Sequence, residues 1–262
     1  MVFGNKRQLS KSSIAYIVLG VVLITLMAVV GTSAFLRTAV INVDGAVMYS
    51  SEEIIRASGL EPGNNLIFVN PQNVSQKIRD ELPFVSTVQV TRVLPDTVLI
   101  EIVESIAIAS VRFAGDYYVI DSAGRVLARS NDENLLPVPL QGLIEIRGVE
   151  IEETPVGNNL KPVFGTETKL QYMQEVLTAM EREGIASDAS YLDVSNIVNV
   201  FFGYMGRYRV ILGGSTNLRP SNLRHNLGRL NDAVRVVQSN HPNTSGILDM
   251  SDESGPPKFT PD

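Results

Sequence analysis

Two histidines and no cysteine leave this 262-residue chain short of the side chains that most often move protons or hold metals near neutral pH. Without cysteine there is no thiolate nucleophile, no disulfide and no thiolate metal site. His225 falls inside an amphipathic helical pattern and His241 in a loop before Pro242. Neither sits in H-E-x-x-H spacing, and no G-x-S-x-G occurs. Gly213-Gly214-Ser215 lacks the lysine that follows a phosphate-binding loop and reads as the end of a strand. Paired carboxylates suited to acid–base work have plainer readings: Glu52-Glu53 opens a helix and Glu152-Glu153 lies in a solvated loop. Asp121, followed by Ser122-Ala123-Gly124, is a turn former before it is a catalytic acid. Asn73-Val74-Ser75 and Asn243-Thr244-Ser245 match the glycosylation triplet, a pattern common by chance. The expectation is a non-enzyme with no catalytic, cofactor-binding or metal site.

With chemistry scarce, the elements themselves become the subject, and one stands first. Ile14 to Leu36 contains no charged residue and consists mostly of Ile, Val, Leu, Ala, Gly and Phe. As a helix rising about 1.5 Å per residue it exceeds the roughly 30 Å hydrocarbon core of a bilayer. Lys6, Arg7 and Lys11 precede it, and the first acidic residue is Asp44. The positive-inside bias therefore predicts a cytoplasmic tail over 1–13, a transmembrane helix over 14–36, and everything later outside. The rival is a cleaved signal peptide, with Thr32-Ser33-Ala34 offering small residues for cleavage; such apolar cores are normally shorter than this one. All 28 acidic residues follow the run and three of the 22 basic ones precede it, so the chain's −6 becomes −9 beyond it. That charge argues against nucleic acid or an anionic surface as the main ligand of the exported part.

From Thr38 to Glu104 the pattern predicts a β-α-α-β-β unit. Val40, Ile41 and Val43 form a short strand ending at Asp44-Gly45. Ser50 or Ser51 caps a helix, and Glu53 stands where a capping box needs it. Ile54, Ile55 and Ala57 give that helix its buried face, and Gly59 its left-handed end. Asn70-Pro71 opens a second helix with Val74, Ile78 and Leu82 on one face. Val88 and Val90 alternate with Gln89 and Thr91, and Val98, Ile100 and Ile102 with Leu99 and Glu101, on either side of Leu94-Pro95-Asp96, as an antiparallel hairpin would.

Val43-Asp44-Gly45, Ser51-Glu52-Glu53-Ile54, Gly59-Leu60, Gly63 to Phe68, Leu82-Pro83-Phe84-Val85, Val90 to Thr97 and Ile100 to Glu104 fall in the order of a POTRA domain. The unit resembles the version found in the bacterial cell-division proteins FtsQ and DivIB. Where that pattern continues with Arg and Pro, Ser105 and Ile106 stand here.

Beyond it, about 105–250, the residues predict a larger mixed sheet. Tyr117 to Ile120 and Arg125 to Ala128 read as a hairpin, and Leu135 to Gly142, with Pro137 and Pro139, as an edge or extended segment. Thr168 with Gln171 is expected to cap a helix whose Leu170, Met173, Leu177 and Met180 face a core rather than a cofactor. Tyr191–Val194 and Val198–Phe202 read as strands, Gly203 to Gly206 as a turn, and Arg207 to Gly213 as the next strand. Leu223, Leu227, Leu230, Val234 and Val237 predict one final helix over about 221–238. Ile247 to Met250 is the last clear strand, and 251–262 a polar tail ordered only on a partner. The fold class expected is α+β: one transmembrane helix, a POTRA domain over 38–104, and a mixed antiparallel-sheet β domain with two helices.

The order of this second region is also similar to the C-terminal β domain of FtsQ and DivIB. The resemblance implies a bitopic scaffold at the division septum that binds FtsL and FtsB (DivIC in Gram-positive bacteria). It implies participation in a complex regulating septal peptidoglycan synthases, with no nucleic acid and no small-molecule substrate. It places FtsB or DivIC at the last strand and the Ser-Gly turn after it, which here are Asp249, Met250, Ser254, Gly255 and Phe259. Gly255 would let a foreign backbone approach, while Phe259 either anchors the partner or buries itself on its own domain. Pro256-Pro257 removes two N–H donors from any ladder there. Deleting 251–262 is therefore expected to spare the fold and weaken partner capture. Two other classes remain: a POTRA-bearing component of a transport or secretion assembly, and an anchored cell-wall enzyme.

Overall fold

The computed structural model describes residues 11–35, 38, 40–213, 220–252 and 255–262, and side chains of the first helix over 15–27. That helix, α1 (Lys11–Phe35), carries no acidic residue in its first turn and no basic residue in its last. Its described large apolar side chains, Tyr16 to Met27, are exposed. The described side chains, 15–27, cover 13 residues, roughly 20 Å of helix, and among the described residues no helix is long and apolar enough to cross a membrane. Lys6 and Arg7 lie outside the described residues, as do Gly214 and Ser215.

The chain divides into two compact units, the first holding residues 1–81 and 87–103 and the second 82–86 and 104–262. In the first, β1 (Val40–Asp44), α2 (Ser51–Ser58), α3 (Pro71–Glu81), β2 (Val85–Val93) and β3 (Thr97–Glu104) follow in the expected β-α-α-β-β order. β3 is central, flanked by β1 and β2, and it runs parallel to β1 with Val40 opposite Thr97 and Asp44 opposite Glu101. Local chemistry starts each helix. Ser50 Oγ accepts the Glu53 N–H at 3.3 Å while the Glu53 carboxylate accepts the Ser50 N–H at 2.8 Å, a complete capping box. Gly59 closes α2 in the left-handed region at φ 66°, and Asn70 Oδ1 accepts the N–H groups of Gln72 and Asn73 to open α3. Val98, Ile100 and Ile102 are buried with Val88, Val90, Ile54, Val74 and Ile78. Ser75 Oγ, donating to Val88 O at 3.2 Å, ties α3 to the sheet.

The second unit is a nine-stranded sheet with helices. Its strands are β4 (Ala109–Phe113), β5 (Asp116–Ile120), β6 (Val126–Ser130), β7 (Ile144–Arg147), β8 (Ala189–Asp193), β9 (Val200–Tyr204), β10 (Tyr208–Gly213), β11 (Gly246–Asp249) and β12 (Lys258–Pro261). Their order is β12-β11-β10-β9-β8-β7-β4-β5-β6. β4–β7, β7–β8 and β10–β11 are parallel pairs, and the other five are antiparallel. Parallel neighbours need long crossovers. One contains α4 (Glu167–Arg182), and another holds α5 (Pro220–Gly228) and α6 (Leu230–Asn240). Met173, Leu177 and Met180 from α4, Leu223 and Leu227 from α5, and Leu230 and Val234 from α6 share one core with Val111, Ile146, Leu192, Phe202 and Val210 of the sheet.

Several expectations change here. The single last helix is two, because Gly228 is a poor interior helix residue and the chain turns at Arg229; among its described residues the unit therefore has three α-helices. Thr168 lies inside α4, whose N-cap is Thr166 without a side-chain capping bond; the Thr166 hydroxyl donates to Val163 O instead. Segment 135–142 forms no strand: a single 3-10 turn at Glu133–Leu135 leads into bends. Gly203 belongs to β9, so the turn begins only after Tyr204. The segment expected as an unstructured tail contains β12, antiparallel to β11.

Candidate partner-binding edge

The C-terminal edge of the large sheet is built from a strand that few residues define. β11 is four residues long and lies parallel to β10, with Gly246 opposite Tyr208 and Asp249 opposite Ile211. Its glycine allows the next strand to close in: a Cβ on Gly246 would meet the Thr260 carbonyl and, at 2.8 Å, the Phe259 ring. β12 then pairs with Leu248 opposite Phe259 and Asp249 opposite Lys258. It is the outermost strand on this side.

The five expected contact residues fare differently. Asp249 Oδ1 accepts the Ser251 N–H at 2.9 Å and its hydroxyl at 2.6 Å, so this carboxylate turns the chain out of β11. Met250 is buried in the core and its N–H donates to Ile211 O at 2.9 Å, which leaves no side chain for a partner. Ser254 lies outside the described residues. Gly255 sits where a Cβ would strike the Asp252 carboxylate, and its own N–H donates to Asp252 Oδ1 at 3.0 Å. Phe259 is half-buried on its own domain, edge-on to Tyr208 at 6.2 Å between centroids and tilted against His241 at 5.5 Å. Of its two readings, the structure adopts the intramolecular one.

Arg229 is a site residue that no sequence pattern marked. Its guanidinium donates to Gly255 O at 3.2 Å, Asp252 O at 3.4 Å and Asn226 Oδ1 at 3.1 Å, clamping Asp252 and Gly255 to the α5–α6 junction. Beside the clamp a groove of about 380 Å³ opens between α6 and the strand, lined by Ala233, Val236, Val237, Leu248, Pro256 and Pro257 among others. The one readable signal was the break at Gly228 within an otherwise continuous leucine pattern. At the opposite end of the sheet the start of β6 is already covered: Val126 N–H donates to Asn158 O, and Gly157 N–H to Val126 O, each at 2.8 Å.

Two of the carboxylates weighed for chemistry have structural partners. Asp121 Oδ1 accepts the N–H groups of Ala123 and Arg125, making the β5–β6 turn. Glu153 is an ion-pair partner rather than a free loop carboxylate, since Arg129 bridges it and Asp116 at 2.7 Å each. Those two carboxylates raise the already high pKa of that guanidinium, Glu153 first. Among the described residues no cluster of three His, Asp or Glu could hold a metal.

Residues 36–105 match the family described as "POTRA domain, FtsQ-type". Over 96% of its length the chain is 22% identical to cell division protein DivIB of Clostridium botulinum (strain Hall), covering 91% of that protein. It is 22% identical to DivIB of Clostridium tetani over 70% of the chain and 66% of the relative. It is 32% identical to cell division protein FtsQ of Corynebacterium glutamicum over 51% of the chain and 58% of the relative. In the last two alignments the chain therefore spans less than two thirds of the relative. Residues 36–105 thus belong to the FtsQ-type POTRA family, and the chain as a whole is similar, almost end to end in one case, to the bacterial cell-division proteins FtsQ and DivIB.

Proposed function

We infer that this chain is a non-enzymatic, bitopic membrane scaffold of the divisome, which captures an extended partner segment on the outer edge of β12. The observation that carries the inference is the unequal treatment of the two sheet edges. The start of β6 is covered by the chain's own 157–158 segment, whereas β12 stands outermost. An open edge accepts a strand through main-chain hydrogen bonds, and neighbouring pockets select its side chains. The apolar groove beside Pro256 and Pro257 is the available pocket. The family resemblance points to FtsB or DivIC as the occupant, with FtsL in the same complex and septal peptidoglycan synthesis as the process regulated. Asp249, Gly255 and Phe259 contribute by shaping this edge, Met250 through its main chain, and Ser254 is kept as a contact residue on the resemblance alone. Arg229 holds Asp252 and Gly255 in place.

The 25 residues of α1 would measure roughly 37 Å, enough for the roughly 30 Å hydrocarbon core, and the uncharged stretch 14–36 supports the crossing. The three basic residues before it favour an inside N-terminus.

The test is a photo-cross-linking residue at Thr260, exposed on β12, in cells of the source organism. A cross-link identified by mass as the FtsB/DivIC-like protein is expected from Thr260 and not from the exposed loop residue Phe164. No such adduct from Thr260 would move the partner off this edge.

A further inference from the structure

The first unit is unusually apolar at the end where the chain arrives from α1. Thr38 lies three residues after Phe35, and its N–H donates to Asn64 O while its carbonyl accepts the Gly63 N–H, both at 2.7 Å. Three residues reach at most about 11 Å, so Thr38 stays close to the helix end and its two hydrogen bonds hold Gly63 and Asn64 there with it. Val40 N–H donates to Asp96 O at 3.3 Å, which brings the β2–β3 turn to the same end. Arg92 then joins the two loops, its guanidinium donating to Ile67 O at 3.1 Å and Leu66 O at 3.4 Å. On these joined loops Phe68 is 82% exposed, Leu94 69%, Ile67 53% and Val93 45%. Single exposed apolar residues are ordinary, but four large ones on two tied loops at one end of a small unit are not.

The carboxylates at this end are Glu61 and Asp96, and Asp96 already accepts the Thr97 hydroxyl at 3.0 Å. Arg92 supplies a cation beside the apolar tips.

We propose that Ile67, Phe68, Val93 and Leu94 form a second membrane anchor, seated in the interface of the bilayer that α1 crosses. The proposal rests on the reading of α1 as the spanning helix. The reach of the linker argues for lipid over a protein occupant. With Phe35 at the hydrocarbon boundary, a link of about 11 Å holds Thr38 and the loops bonded around it beside the interfacial layer, which apolar faces enter to a depth of about 5–10 Å. Aromatic and aliphatic tips flanked by arginine suit that layer. Attachment there gives the unit a second fixed point besides its covalent one and limits its rotation at the membrane surface.

The chain has no tryptophan, so each substitution creates a sole indole reporter. Full-length Phe68→Trp, Ile24→Trp and Phe164→Trp chains are reconstituted in phosphatidylcholine vesicles, with and without lipid brominated high on the acyl chain. The expected result is strong bromolipid quenching and a blue-shifted emission for Phe68→Trp, quenching for Ile24→Trp, and neither for Phe164→Trp, whose site lies in the second unit. If Ile24→Trp is quenched while Phe68→Trp behaves like Phe164→Trp, the interfacial anchor is wrong and the spanning helix stands. If Ile24→Trp escapes quenching, the spanning helix fails and the anchor with it. Phe68→Trp shielded from aqueous iodide without bromolipid quenching would put a second copy over the site and overturn the proposal.

Discussion

At the scale of single residues, the most exposed piece of this fold to titration is the capping box of α2. The Ser50 N–H, then the Ser50 hydroxyl, hold the Glu53 carboxyl below its ordinary range. A lowered carboxyl favours the folded state above its unfolded value of about 4.3, and that contribution disappears as pH falls through the lowered folded value. Ser50→Ala should therefore cost about 1 kcal/mol near neutral pH by chemical denaturation. Glu53→Gln should lose the pH-dependent part of the same effect, so its deficit relative to the parent shrinks as acid protonates the parent carboxyl. A deficit unchanged down to strongly acidic pH would mean the carboxylate contributes nothing as an anion. Phe259 is the other residue with a sharp expectation. Packed against Tyr208 and His241, Phe259→Ala should lose about 1–3 kcal/mol, read as a lowered denaturation midpoint of the whole chain.

Elements show their own dependencies. Ile100, fully buried on the central strand β3, is opposed by Glu101 on the exposed face. Ile100→Ala should cost about 2–5 kcal/mol and Glu101→Ala much less, measured by denaturant melts of the full chain. Equal small effects would contradict the register. At the other end of the chain, β12 replaces the earlier expectation about the tail. Deleting 251–262 removes a paired strand, the Phe259 ring and the Arg229 acceptors Asp252 O and Gly255 O. The truncated chain should melt measurably lower as well as bind worse. Gly246→Ala, which forces β12 away from β11 without removing a residue, should reproduce both losses. A truncated chain as stable as the parent would mean β12 adds nothing to the isolated fold.

For the molecule as a whole, the likeness to cell-division proteins and the scaffold reading proposed from it set the expected topology. A reporter active only outside the cytoplasm, fused after Asp262, should be active while the chain stays with membranes at full length. A soluble product beginning near Phe35 would show the apolar stretch to be a cleaved leader.

What the residues alone settled was whatever rests on near neighbours in sequence. The capping box spans four residues, the Asn70-Pro71 start and Gly59 stop act within one turn, and the Val98-Ile100-Ile102 alternation encodes its own face. Each of these signals is complete within a short window, and so the β-α-α-β-β unit and its family likeness were legible. Partner strands distant in sequence were not. Ile144–Arg147 is a four-residue run that becomes a strand because β4 and β8 flank it on both sides, and Ala109–Phe113 needs β5 and β7. Lys258–Pro261 follows two prolines in a polar segment and reads as tail until Gly246 gives it room to pair. The same holds for function. Sequence likeness pointed to the C-terminal edge, but only the tertiary structure decided that Met250 faces the core, that Phe259 rests on Tyr208, and that Arg229 grips Asp252 and Gly255. Those assignments depend on which backbones lie side by side, and a chain meets such neighbours only once it has folded.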